Sequence, residues 1–366
     1  MRWWIAAAVL APLAMPAQGE VVRLEITERR DWAGGQSFGA GQYEYVAGTA
    51  WYEIDPASPQ ARDITDIRLA PRNARGRVEY RGPFLILPPK DASRANGTTI
   101  VEVPNRGGDQ TNRLLFFASG FDIAAPAKTT EVSHGPLFDR GYTFAWAGWQ
   151  ADLKPDQFGL TVPRAEVHGT ARASAYVNVD GASGDIGSTE TGGSCAADAN
   201  DPTATLRVHR RFDDPGEVVP RARWRFARRE GGRVVADPCQ FLLDTPVKGP
   251  ALVTVTYRGD QPLVVGLGLA AQRDFASHLR RHAIEGGALP RTLIGYGYSQ
   301  SARFLRDFLY RGFNRDPASG GRVFDGIMDV GAGAGRGAFN HRYARPGEAG
   351  NSVGSALRAV DLYPFA

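Results

Sequence analysis

The stretch from Leu293 to Leu309 constrains this chain more than any other. A strand over Arg291–Gly295 leads into Gly297-Tyr298-Ser299-Gln300-Ser301. Helical spacing then places Leu305, Phe308 and Leu309 on the inner face of Ala302–Arg311, and Gly312 stops the helix. Strand, tight turn, serine and amphipathic helix occur in the order that lifts a hydroxyl onto a strained strand-to-helix corner. Such a corner closes only if the residues two before and two after the serine are small, and the helix N-terminus then favours developing negative charge. Gly297 and Ser301 satisfy the size condition, with a serine standing where a second glycine is usual. The competing reading of Ser299 is an ordinary helix N-cap.

The remaining pattern frames this segment. From Glu20 to about Val103 short alternating runs and Gly/Pro turns predict strands, with no helical periodicity. Thr98–Val103 and Tyr142–Trp146 read as buried strands. Residues 151–249 differ: a Gly/Ser/Thr/Asp-rich loop over Asp180–Pro202 precedes strands of two-residue alternation, with a hairpin signal at Gly231-Gly232. We read this block as a β-rich insertion. After Pro250 an α/β rhythm resumes, with strands at Ala251–Tyr257 and Pro262–Val265, a helix over Leu269–Ile284 and a strand over Phe324–Val330.

Composition narrows the function classes. Against 43 Lys and Arg stand 39 Asp and Glu, so the net charge of +4 predicts no polyanionic partner. Arg2, the apolar run Trp3–Leu13 and Ala17-Gln18-Gly19 form the three parts of a signal peptide over residues 1–19. That run is broken by Pro12 and Pro16 and is too short to span a bilayer, so a periplasmic or secreted protein with no membrane span is expected. In an oxidising compartment the two cysteines, Cys195 and Cys239, are expected to form a disulfide within the insertion.

The segment Gly297-Tyr298-Ser299-Gln300-Ser301-Ala302-Arg303-Phe304-Leu305-Arg306 resembles a family of secreted bacterial alpha/beta-hydrolase-domain proteins. Similar blocks are Val101-Glu102-Val103-Pro104-Asn105-Arg106-Gly107, the helix start Gly266–Phe275, and Phe339-Asn340-His341-Arg342. The resemblance implies one alpha/beta-hydrolase domain over residues 20–366, β-rich at its N-terminus, with the insertion at 151–249. It also implies serine hydrolase chemistry on a small-molecule ester, or less readily an amide, with no cofactor: Ser299 attacks a carbonyl and a histidine takes its proton. The Gln300 N–H and a second donor, placed at Gly107, would hold the oxyanion. On this fold the acid and then the histidine follow the nucleophile, so Asp329 and His341 are the candidates. The stretch after Ser299 is short for the strands and loops this requires, and truncation at the C-terminus is the expectation. The rival function is a non-catalytic binding protein on the same scaffold.

Other signals are weaker. Gly266-x-Gly268-x-x-Ala271 imitates a dinucleotide fingerprint, but the next strand ends in Gly, Tyr and Ser where a ribose-binding acid is needed. His278 and His282 have zinc spacing without the glutamate of a metalloprotease helix, and no metal site is assigned. Arginines alternating with Ala222, Trp224 and Phe226 read as a half-buried strand with a solvated face, and no nucleic-acid partner follows.

Overall fold

The structure is a computed structural model that describes residues 20–108, 123, 135–154, 156–177, 194–211, 214–244, 247–284, 287–333, 336–344 and 346. The expected signal peptide, residues 178–193 of the expected insertion and residues 347–366 lie outside the described residues.

The N-terminal part contributes β1 (Glu20–Asp31), β2 (Ser37–Phe38), β3 (Gly41–Gln42), β4 (Glu44–Ile54), β5 (Val78–Leu87), β6 (Thr98–Glu102), a one-turn helix α1 (Pro136–Asp139) and β7 (Thr143–Ala147). The middle adds β8 (His168–Val177), β9 (Cys195–Ala196), β10 (Thr205–His209), β11 (Glu217–Val219), β12 (Trp224–Glu230), β13 (Arg233–Leu243) and β14 (Ala251–Asp260). The last part supplies α2 (Leu267–Arg281), β15 (Thr292–Tyr298), α3 (Gln300–Tyr310) and β16 (Gly326–Val330).

Seven strands form the main sheet in the order β1-β4-β5-β7-β6-β15-β16. The first three are antiparallel, and β7, β6, β15 and β16 run parallel to one another. Composition explains the split. The parallel strands β6 and β7 are buried at nearly every residue because both sheet faces are covered. Edge strand β1 is mostly exposed and rich in charge, which blunts its free edge. Helices α2 and α3 cover one face through Leu267, Phe275, Phe304 and Phe308, packed over Val101 and Leu293. On the other face Trp32, Tyr43, Phe138, Phe144 and Trp146 build an aromatic layer.

A second sheet, in the order β11-β10-β14-β8 with β9 also on β14, rests on its own core of Leu206, Trp224, Phe226, Phe241 and Val253. Its central strand is β14, which the sequence pattern assigned to the resumed α/β rhythm. Local alternation cannot tell which sheet a buried strand joins; the pairing of Ala251–Asp260 with His168–Val177 decides it. Cys195 and Cys239 are joined by a disulfide that ties β9 to β13. With a sequence separation of 44 between its ends, the bridge contributes about 4 kcal/mol by restricting the unfolded chain.

Two helix readings need correction. α2 ends at Arg281, leaving His282 exposed beyond it, and its first three turns are buried on all sides, down to Arg273 and Asp274. In α3 the inner face is Phe304, Leu305 and Phe308, whereas Leu309 is 43% exposed. The buried face turned by one residue because Phe304 packs against Trp149, with ring centres 4.2 Å apart. Among the described residues no helix is long and apolar enough to cross a membrane.

Candidate active site

β15 carries its ladder up to the serine itself: Ser299 N donates to Val330 O at 2.7 Å. The backbone then leaves the strand abruptly, with Ser299 at φ 56° and ψ −111°, and enters α3 at Gln300. A non-glycine residue in this region is strained and persists only where its surroundings hold it. Three contacts do so. Gly297 sits under the helix start, where a Cβ would lie 2.7 Å from backbone atoms of Ser301 and Ala302. The fully buried Ser301 hydroxyl accepts from Tyr298 N at 2.9 Å and donates to Tyr298 O at 3.0 Å. Asn105 Nδ2 donates to the same carbonyl at 2.7 Å. The serine in place of the usual second glycine is thus small enough to fit and also braces the corner.

The Asn105 contact joins the elbow to the turn that follows β6. Asn105 and Gly108 exchange backbone hydrogen bonds of 2.7 and 3.0 Å, and between them Arg106 and Gly107 have φ of 54° and 76°. Gly107 is required twice over: by its left-handed backbone, and by the Leu153 methyl that would stand 2.9 Å from a Cβ. Trp149 Nε1 donates to Pro104 O at 2.6 Å and fixes the approach to this turn. The chain leaves β6 towards β7 on one side and leaves β15 towards β16 on the other. The ends of β6 and β15 therefore flank a topological switch point, where open α/β sheets bind their ligands.

Ser299 is exposed, and its hydroxyl makes no hydrogen bond with a described residue. Asp329 lies on β16 in register with Gly297 and is exposed. β16 is the last strand of the sheet among the described residues, and Met328 and Val330 are exposed there at 39% and 40%. His341 belongs to a segment that runs back along α3 towards the elbow. Arg336 reaches Asp307 at 3.4 Å, Phe339 packs on Phe304 at 5.5 Å between ring centres, and Gln300 Nε2 donates to Pro346 O at 2.6 Å. Asn340 pins the same segment to Thr65, accepting from its backbone N–H at 2.9 Å. No hydrogen bond joins His341 to Ser299 or to Asp329.

An imidazole held between a hydroxyl and a carboxylate does occur, but in the second sheet. His209 Nε2 is 2.9 Å from Thr254 Oγ1, and its Nδ1 is 3.2 Å from Asp214 Oδ1. Backbone N–H groups of Arg211, Arg210 and Gly216 and the nearby His209 hold the Asp214 carboxyl below the usual range. Thr254 is 8% exposed, and Gly216 lies so close to the ring that a Cβ there would be 2.5 Å from His209 Cε1. Burial and the close packing of Gly216 on the ring shield this hydroxyl. At the end of α2 the His278 ring stacks on that of His282 just beyond the helix, at 4.5 Å, and burial, reinforced by His282 and Arg281, pushes His278 down to about 4. Among the described residues no group of three or more His, Cys, Asp or Glu could hold a metal ion.

Sequence reading missed the bracing roles of Asn105 and Ser301 and the clamp from the Gln300 side chain. Each stands in a sequence motif, but the partner of its side chain follows only from the fold. Residues 250–359 match the model of a family described as alpha/beta hydrolase domain. The matched stretch holds α2, the elbow, α3 and the His341 segment, under a third of the chain. No curated protein and no solved structure matches the chain.

Proposed function

We propose that this protein is a serine hydrolase that cleaves small carboxylic esters through an acyl-enzyme on Ser299. The observation that carries the reading is the strained, exposed serine at the junction of β15 and α3, next to the turn after β6. Strain of this kind clusters at functional sites, since nothing in packing rewards it. In the proposed reaction Ser299 Oγ attacks the ester carbonyl as its proton passes to a base. Charge develops on the carbonyl oxygen, which the free N–H groups at the start of a helix stabilise. Gln300 N–H is the first proposed donor and Gly107 N–H the second. Collapse of the adduct expels the alcohol with the proton returned by the base, and water then releases the acid by the same route.

For the relay we propose His341 as base and Asp329 as acid. Support for His341 is its place on the segment that Gln300 and Phe304 hold against α3. Support for Asp329 is its register beside Gly297 at the end of the neighbouring strand. The insertion over 151–249 and export to an oxidising compartment belong to the same proposal, in keeping with the Cys195–Cys239 bridge.

The second reading is a binding protein that keeps the scaffold without the chemistry. It is favoured by one observation, the lack of a hydrogen bond from the Ser299 hydroxyl to any described imidazole. Incubation of the full chain with a fluorophosphonate separates the two. A hydrolase is labelled at Ser299, and Ser299→Ala and His341→Ala both lose the label. A folded protein that takes no label, or one whose label survives Ser299→Ala, overturns the proposal.

A further inference from the structure

The far end of α3 holds a cavity of about 590 Å³ that the elbow does not touch. Eleven residues of helix separate it from Ser299, roughly 16 Å along the axis, so it is no extension of the candidate active site. Its volume lies within the range of small-molecule sites.

Four arginines line it: Arg62, Arg273, Arg311 and Arg315. Two of them are committed elsewhere. Arg273 is 2% exposed and spends its donors on Asp274 and on Gln60 O. Arg311 Nε donates to Asp307 at 2.7 Å, leaving its terminal nitrogens free of described partners. The other two are nearly uncommitted. Arg315 makes no side-chain hydrogen bond or ion pair with a described residue, and Arg62 has only a 3.7 Å contact with Asp63.

The acids on the wall do not cancel this charge. Asp316 is 4% exposed and turned inward, where Ser277 Oγ of α2 and Ser319 Oγ and Ala318 N of its own loop donate to it. Asp63, half exposed beside Arg62, is the other. The α3 carbonyls that would repel an anion at this end are capped by the N–H groups of Arg311, Gly312 and Phe313. The loop bearing Arg315 is held by backbone bonds from Asp316 N to Gly321 O and from Gly320 N to Asp316 O, so the backbone that carries the cation is fixed before binding and only its side chain has to be ordered. Phe313, Pro59 and Pro317 supply an apolar wall beside the guanidinium groups.

We propose that this cavity binds a small organic oxyanion, a carboxylate or phosphate group on a short apolar body. Arg315 and Arg62 grip the charged end as forked donors, and the Phe313 wall takes the rest. The site is separate from Ser299 and holds whether or not the chain is a hydrolase.

Calorimetric titration of the full chain with hexanoate and with inorganic phosphate, at ionic strength fixed with chloride, tests it. The wild type and Ser299→Ala should bind at least one probe with the same affinity. Arg62→Ala/Arg315→Ala should weaken that binding about tenfold or more, with its circular dichroism unchanged. Arg62→Lys/Arg315→Lys, which keeps the charges and loses the forks, should fall between. Tighter binding of hexanoate assigns a carboxylate ligand, and tighter binding of phosphate a phosphate ester. Failure of the wild type to bind either probe, or equal binding by wild type and the double alanine variant, overturns the proposal.

Discussion

Ser299 and Thr254 present the same functional group from different sheets and are held in opposite ways. Thr254 lies in the middle of β14, paired with Ser174 on one side and Arg207 on the other. Its hydroxyl is buried and already bonded to an imidazole that a carboxylate backs. Ser299 stands on a left-handed corner, exposed, with no described partner for its hydroxyl. Among the described residues, the hydroxyl with the relay is buried, and the exposed hydroxyl has no hydrogen-bonded relay. The pair teaches that a hydrogen-bonded hydroxyl, imidazole and carboxylate do not by themselves mark a nucleophile. Extended backbone and burial make Thr254 a structural tie, whereas strain and access single out Ser299.

The largest expected break in this comparison comes from Gly297→Ala. Its Cβ would meet backbone atoms rather than a movable side chain, so the elbow must shift, at a cost of about 3 kcal/mol. Urea unfolding should show that loss, and fluorophosphonate labelling should vanish although Ser299 is intact. A variant as stable as wild type would mean that the corner is not held as described.

A smaller effect is expected at the other hydroxyl. Thr254→Val leaves the buried Nε2 of His209 unpaired, a loss of about 2 kcal/mol in the same measurement. Labelling at Ser299 should continue at the wild-type rate. Reduced labelling in a folded Thr254→Val protein would show that the two regions are coupled.

The smallest effect has the opposite sign. Ser299→Gly relieves the positive φ, and after the extra freedom of the unfolded chain is subtracted, about 1 kcal/mol or less of stabilisation should remain. Ser299→Ala keeps the strain and should leave stability close to wild type. A glycine variant less stable than the alanine variant would argue against stored strain at this position.

Sequence alone fixed what short windows of chain encode. The corner at Ser299 follows from a strand pattern, two small residues at 297 and 301, and a helix pattern, all within about twenty residues. The cysteine pair followed from count and expected compartment, and the structure joins the two. Tertiary structure decided everything that depends on which segments meet. It put β14 in the second sheet, brought the Asn105 turn against Tyr298, and set the His209 ring against the Thr254 hydroxyl, 45 residues away in the chain. It turned α3 so that Phe304 faces inward and Leu309 faces solvent. The physical reason is range: backbone conformation is set by residues a few places apart, but a hydrogen-bonded relay or an arginine cavity joins side chains from distant segments, and only the packing of the sheets determines which of them meet.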